Sequence, residues 1–244
     1  MSLTLLYLLA ISAVGGIVFA KTSSWPGPSS VAVVDDSGYF GENLSGLFYE
    51  QLKANNKSSN DVIWAVQNSP SMLYKLYWTG KVWTSSHDGG WAKGKKIHFS
   101  NGKGHPDSED ITKALSDGDA YSDEIYVCTE RDNDNKDVSF LTVLLYKMDD
   151  NSDELTASFQ WDLTSKLPKV NCNKGFEGIA WVSDSFLVSS GFIDMNTKSK
   201  YDPSRYSNHG TGLFFLALEG KFTTIYCIIN AYKTFLDIIA DYLV

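Results

Sequence analysis

The sequence has 244 residues, of which 43% are hydrophobic, 14% aromatic and 20% charged, with a formal net charge of -8. That apolar content excludes disorder along the whole chain, the negative balance argues against nucleic-acid binding, and the scarcity of long apolar runs excludes a polytopic membrane protein. The length suffices for one large domain, or two small ones, with a sizeable core. In chain order, the first feature is an uncharged run, Leu3 to Phe19, closed by the small residue Ala20. It predicts a signal peptide over residues 1–20 and a secreted product with no membrane association after cleavage. An uncleaved anchor is the alternative, since the run approaches spanning length. The extended stretch Ser23, Ser24, Pro26, Gly27, Pro28 favours cleavage.

The body repeats itself. A first strand is predicted at Ser45–Tyr49, Glu109–Lys113 and Glu177–Trp181, a second at Val62–Val66, Glu124–Cys128 and Ser185–Ser189, and a third at Met72–Leu76, Val143–Met148 and Leu213–Ala217. Fourth strands are expected at Lys96–Phe99 and Leu155–Trp161. Each is a short β-branched and aromatic run bounded by turn residues. Gly46, Asp110 and Gly178 recur at spacings of 64 and 68 residues, which suits one four-stranded propeller blade per repeat. The predicted fold is therefore all-β and β-propeller-like, with about three four-stranded blades visible over residues 26–220. Closed rings typically hold about four to eight blades, so either the ring is incomplete in this chain or Gly27 to Phe40 and the tail supply irregular parts. The plainer alternative is a sandwich of ordinary hairpins. In the tail, residues 221–244, Ile225, Ile228, Ile229, Tyr232, Phe235, Leu236, Ile239 and Leu243 fall at helical spacing, which predicts an amphipathic C-terminal helix.

Three cysteines, Cys128, Cys172 and Cys227, allow one disulfide in three pairings or buried free thiols. None shows zinc-ligand spacing. Sequons occur at Asn43 and Asn56, and Asn56, in a polar turn, is the better glycan acceptor.

The segments Asn43–Leu47, His105–Ile111, Thr129–Asp134, Gly175–Ala180 and Gly210–Phe215 resemble the phytase-like, or esterase-like, β-propeller domain of secreted proteins. The resemblance implies phosphoester hydrolysis of a phosphorylated small molecule or other ester substrate, assisted by Ca²⁺. Asp110 departs from the pattern, where glycine is usual after the glutamate, and Tyr121–Asp123 reads as an insertion. The pattern also ends near Gly220.

Glu109 and Glu177 stand at equivalent positions in two repeats, at the start of the innermost strand, and are predicted to face one channel. Close carboxylates repel or share a cation, and hard oxygen donors suit Ca²⁺. They are the candidate catalytic and metal-holding pair. Glu130, at the end of the next strand, is expected to complete the acidic channel. Arg131 is the candidate phosphate ligand. Asp132 and Asp134 alternate like the start of a calcium loop, but Asp137 and Val143 replace the Gly and Glu that an EF-hand requires, and a solvated connection is the plainer reading. Arg205 and His209, in the polar loop before the last repeat strand, are further candidates for substrate binding. Trp78, Trp83 and Trp91 with Tyr77 are read either as a sugar platform or as blade packing. No G-x-S-x-G elbow, P-loop or G-x-G-x-x-G is present. The competing functions are a non-catalytic module that binds carbohydrate or protein, and an inactive, truncated relative.

Overall fold

The structure, a computed structural model, describes residues 39–51, 61–85, 88–116, 120–148, 152–206 and 209–221, and the backbone of 223–229 and 236–243. The expected signal peptide, the linker after it and the Asn56 sequon lie outside these residues. Among the described residues no helix is long and apolar enough to cross a membrane.

The protein is all-β, with one short α-helix among the described residues. The first sheet contains β1 (Leu44–Glu50), β2 (Val62–Gln67), β3 (Met72–Trp78), β4 (Trp83–Ser85) and β5 (Lys95–His98). The second is made from β6 (Pro106–Thr112), β9 (Glu124–Asp132), β10 (Ser139–Lys147) and β12 (Phe159–Asp162), in the order β12-β10-β9-β6. A hairpin, β7 (Leu115–Ser116) with β8 (Ala120–Tyr121), precedes β9. Between β10 and β12 the chain leaves the sheet, and β11 (Glu154–Thr156) joins the first sheet parallel to β5. The single strand expected at Leu155–Trp161 is therefore two strands serving two sheets. The third sheet takes β13 (Phe176–Ser183), β16 (Gly212–Leu218), β17 (Thr223–Ile229) and β18 (Leu236–Leu243), in that order. Helix α1 (Asp184–Ser189) and the hairpin β14 (Ile193–Asp194) with β15 (Ser199–Lys200) fill the excursion between β13 and β16. The sheets do not close into a barrel.

Two sequence expectations fail here. Ser185–Ser189 is helical, because the Ser183 side chain accepts the Phe186 N–H and nucleates a turn. The second strand of the third sheet is β16 instead. The predicted C-terminal helix is also absent: the backbone of 223–229 and 236–243 is extended and antiparallel, continuing the sheet from β16.

The second sheet is the middle layer, and its sequence shows why. On β10, Leu144 and Tyr146 pack toward the first sheet with Val62, Trp64, Val66, Leu73 and Ile97. Leu141, Val143 and Leu145 pack toward the third, with Ile179, Phe214, Leu216 and Leu218. A strand covered on both faces carries an unbroken apolar run rather than an alternating one. Each such side chain contributes roughly 1.5–3 kcal/mol on burial.

The edge strands β1, β6 and β13 of the three sheets come together, β6 lying against both of the others. A Cβ on Gly46 would lie 2.5 Å from the Asp110 Cα. Asp110 in turn reaches across to β13, where its Oδ2 accepts the Ile179 N–H at 2.9 Å. Asp110 is thus a bridge between the second and third sheets. Gly46→Ala should destabilise the protein by about 1–3 kcal/mol, the usual cost of overpacking. Urea unfolding measures it, and a change within error would show that β1 can shift off β6 freely.

Cys128 is buried and Cys172 half-buried, and both thiols are free. Trp91 is buried edge-on against Trp64, whereas Trp78 and Trp83 pair across β3 and β4, half-exposed. Asn43 is exposed, with a positive φ of 65°.

Candidate functional site

The site forms where the start of β6, the far half of β9 and the start of β13 converge. Antiparallel pairing of β6 with β9 places Pro106 opposite Asp132 and Ser108 opposite Thr129, so Asp107 and Glu109 come beside Glu130 and Arg131. Glycine makes the third approach possible. A Cβ on Gly175, just before β13, would lie 2.8 Å from the Glu130 Cα.

Carboxylate oxygens of Asp107, Glu109 and Glu130 lie within 4.8 Å of one another, and so do those of Glu130, Glu177 and Glu219. Glu130 belongs to both groups and links the two glutamates singled out by the repeat. Glu130 is only 3% exposed. Its Oε1 accepts the Gly175 N–H at 2.5 Å. Burial drives its pKa up to about 8; the Gly175 N–H opposes that rise, and the negative charges of Glu109, Glu177 and Asp107 add to it. Glu109 is also raised, mainly by burial, with hydrogen bonds from Asn68 and Ser45 opposing. Its Oε1 accepts Asn68 Nδ2 at 3.1 Å. Glu177 is exposed at the open side of the cluster.

Arg131 is committed elsewhere. Its Nε lies 2.7 Å from Oδ2 of the buried Asp107, and its Nη1 donates to the Cys172 carbonyl at 3.4 Å. Burial raises the Asp107 pKa, and the guanidinium opposes it. Lys174 Nζ lies 2.9 Å from Glu219 Oε1 on the exposed rim. Asp107, Glu109, Glu130, Glu177 and Glu219 therefore face Arg131 and Lys174 with an excess of negative charge.

The remaining predicted residues lie apart from this cluster. Asp132 ends β9 and is not part of the connection after it. The Asp132 carboxylate turns away and accepts the His105 and Asp134 N–H groups at 2.9 and 3.0 Å. Arg205 is exposed and pairs loosely with Asp202 at 3.6 Å. His209 has an acceptor on each ring nitrogen, Asp184 Oδ2 at 2.8 Å and the Tyr206 carbonyl at 2.6 Å. It pins the excursion of the third sheet to α1. Asp107, Glu219 and Asn68 were missed by sequence reasoning. Asp107 had a signal, since it stands two residues before Glu109 and shares its face of the strand. Asn68 had none.

Compared with known proteins, the chain matches no family model, no curated protein and no solved structure.

Proposed function

We propose that the chain is a secreted, phytase-like β-propeller domain that binds Ca²⁺ and hydrolyses phosphoesters. In this reading the three sheets are consecutive blades and β1, β6 and β13 are their innermost strands. The observation that carries the proposal is the convergence on Glu130 of Asp107, Glu109, Glu177 and Glu219, with carboxylate oxygens close enough to share a cation. A set of hard oxygen donors with surplus negative charge fits Ca²⁺. Asp107, Glu109 and Glu130, or Glu130, Glu177 and Glu219, would hold the ion. Bound there, the cation would neutralise phosphate charge and activate water. The chain's own contributions are positional. Gly175 and Asn68 fix one oxygen each of Glu130 and Glu109, while Arg131 holds Asp107 in place. Glu177 and Lys174, on the exposed side, face an incoming substrate, with Lys174 held by Glu219.

A second reading, a cation-binding module without turnover, is favoured by one observation: Arg131, the residue expected to take phosphate, is occupied by Asp107.

Calorimetry with Ca²⁺ and hydrolysis of phytate and 4-nitrophenyl phosphate test both readings. Hydrolysis that requires Ca²⁺ and stops on chelation is the expected result. Ca²⁺ binding without hydrolysis selects the module. Equal Ca²⁺ binding by wild type and a Glu109→Gln/Glu177→Gln variant overturns the metal assignment.

A further inference from the structure

Asn133 follows β9 and lies outside the acid cluster, yet it touches two of the groups that shape it. Its backbone N–H donates to the His105 carbonyl at 2.8 Å, which fixes the turn. Its side-chain Nδ2 donates to the Asn68 carbonyl at 2.8 Å and also hydrogen-bonds the Asp107 carboxylate. A side-chain amide nitrogen carries two N–H donors, so these two contacts use both. Asn68, held in this way by its main chain, points its own Nδ2 at Glu109 Oε1. One amide thus bridges the β2–β3 turn of the first sheet and the β6–β9 face of the second. Asn133 braces Asp107 directly and Glu109 at one remove.

We propose that Asn133 is the positioning residue of the cation site: its amide sets the separation of Asp107 and Glu109, and through it the affinity of the site for Ca²⁺. The inference rests on the reading of the cluster as a Ca²⁺ site. The geometry supports a positioning role over simple turn stabilisation. The turn is already closed by backbone bonds from Asn133 to His105 and from Asn135 to the Asp132 carbonyl, and neither needs the Asn133 side chain. What the side chain adds is directed at the carboxylates. Partners of this outer kind typically control metal affinity by about 10- to 100-fold.

The test compares full-length wild type with Asn133→Ala and the near-isosteric Asn133→Leu by Ca²⁺ calorimetry and thermal unfolding in chelator. The proposal expects both variants to lose roughly 10- to 100-fold in Ca²⁺ affinity while their unfolding temperatures without Ca²⁺ stay close to wild type. Asn68→Ala should lose less, because it frees Glu109 alone. Affinity within twofold of wild type in either Asn133 variant would overturn the proposal. A loss of affinity that merely tracks a loss of fold would overturn it too. Should both variants fail to fold, side-chain amide NMR of the wild type decides. Both Asn133 Nδ2 protons should exchange slowly with solvent, and one exchanging as a free amide proton sinks the brace. A wild type that binds no Ca²⁺ refutes the cation site itself. In that case the amide protons still report whether Asn133 holds Asp107 and Asn68.

Discussion

At pH 8 and without divalent cations, Glu130→Gln should be more stable than wild type, by up to about 4 kcal/mol. The cause is the pKa of Glu130, pushed from its ordinary 4.5 up to about 8 by burial. Between those values the folded protein holds a proton on Glu130 that the unfolded chain has released. Stability therefore falls as pH rises from about 4.5 to 8 and levels off above that range, at about 1.4 kcal/mol per pH unit for a single group. Glutamine is neutral throughout and retains an oxygen for the Gly175 N–H, so the variant escapes the penalty. Asp107, Glu109 and Asp110 are raised in the same direction, so the variant's pH dependence should be shallower but not flat. On the proposed reading Ca²⁺ should reverse the order. Binding to the deprotonated carboxylates would stabilise wild type increasingly as pH rises and leave Glu130→Gln almost unmoved. Urea denaturation from pH 5 to 8, with and without Ca²⁺, measures all four curves. Parallel wild-type and variant curves would mean that Glu130 ionises in the folded state as an ordinary surface carboxylate.

The same residue shows how far the sequence could be read. Glu109 and Glu177 were visible through the sequence likeness of β6 and β13, and Gly46, Asp110 and Gly178 mark where β1, β6 and β13 touch. The strands of the middle sheet were visible because burial on two faces leaves long apolar runs, as in Val143–Tyr146. The tail misled for a geometric reason. Residues four apart share a face in a helix and in a strand alike, as Ile225 and Ile229 of β17 do. α1 misled in the opposite sense: Phe186, Leu187 and Val188 form an apolar run of strand type, yet Phe186 and Val188 are exposed and only Leu187 is buried. Asn68 and Asn133 were invisible, because a side-chain amide acquires its role only when two turns from different sheets are brought together. Arg131 was legible as a cation but not as one already paired, since the residue that pairs with it lies on another strand.

Glu50→Ala should cost about 3–5 kcal/mol, the largest loss expected from any single change away from the acid cluster. Glu50 ends β1 and is 7% exposed, and Lys113, just after β6, is 4% exposed. Lys113 Nζ lies 2.8 Å from Glu50 Oε2, the same oxygen accepts the Trp64 indole N–H at 2.7 Å, and the ammonium sits 5.2 Å from the Trp64 ring centre. The pair thus joins the first two sheets inside the core. Removing the carboxylate strands an ammonium and an indole N–H away from water, and a buried charge without its partner costs far more than the pair itself contributes. Against a typical domain stability of 5–15 kcal/mol, that loss should lower the melting temperature by roughly 10 °C. Glu50→Gln keeps an acceptor for Trp64 but not the counter-charge, and should fall between wild type and Glu50→Ala. The decisive comparison is Glu50→Met/Lys113→Met, which replaces both charges with apolar chains of similar length and should recover most of the loss. If the double variant is no more stable than Glu50→Ala, the packing around Trp64, and not the stranded ammonium, sets the stability of this junction.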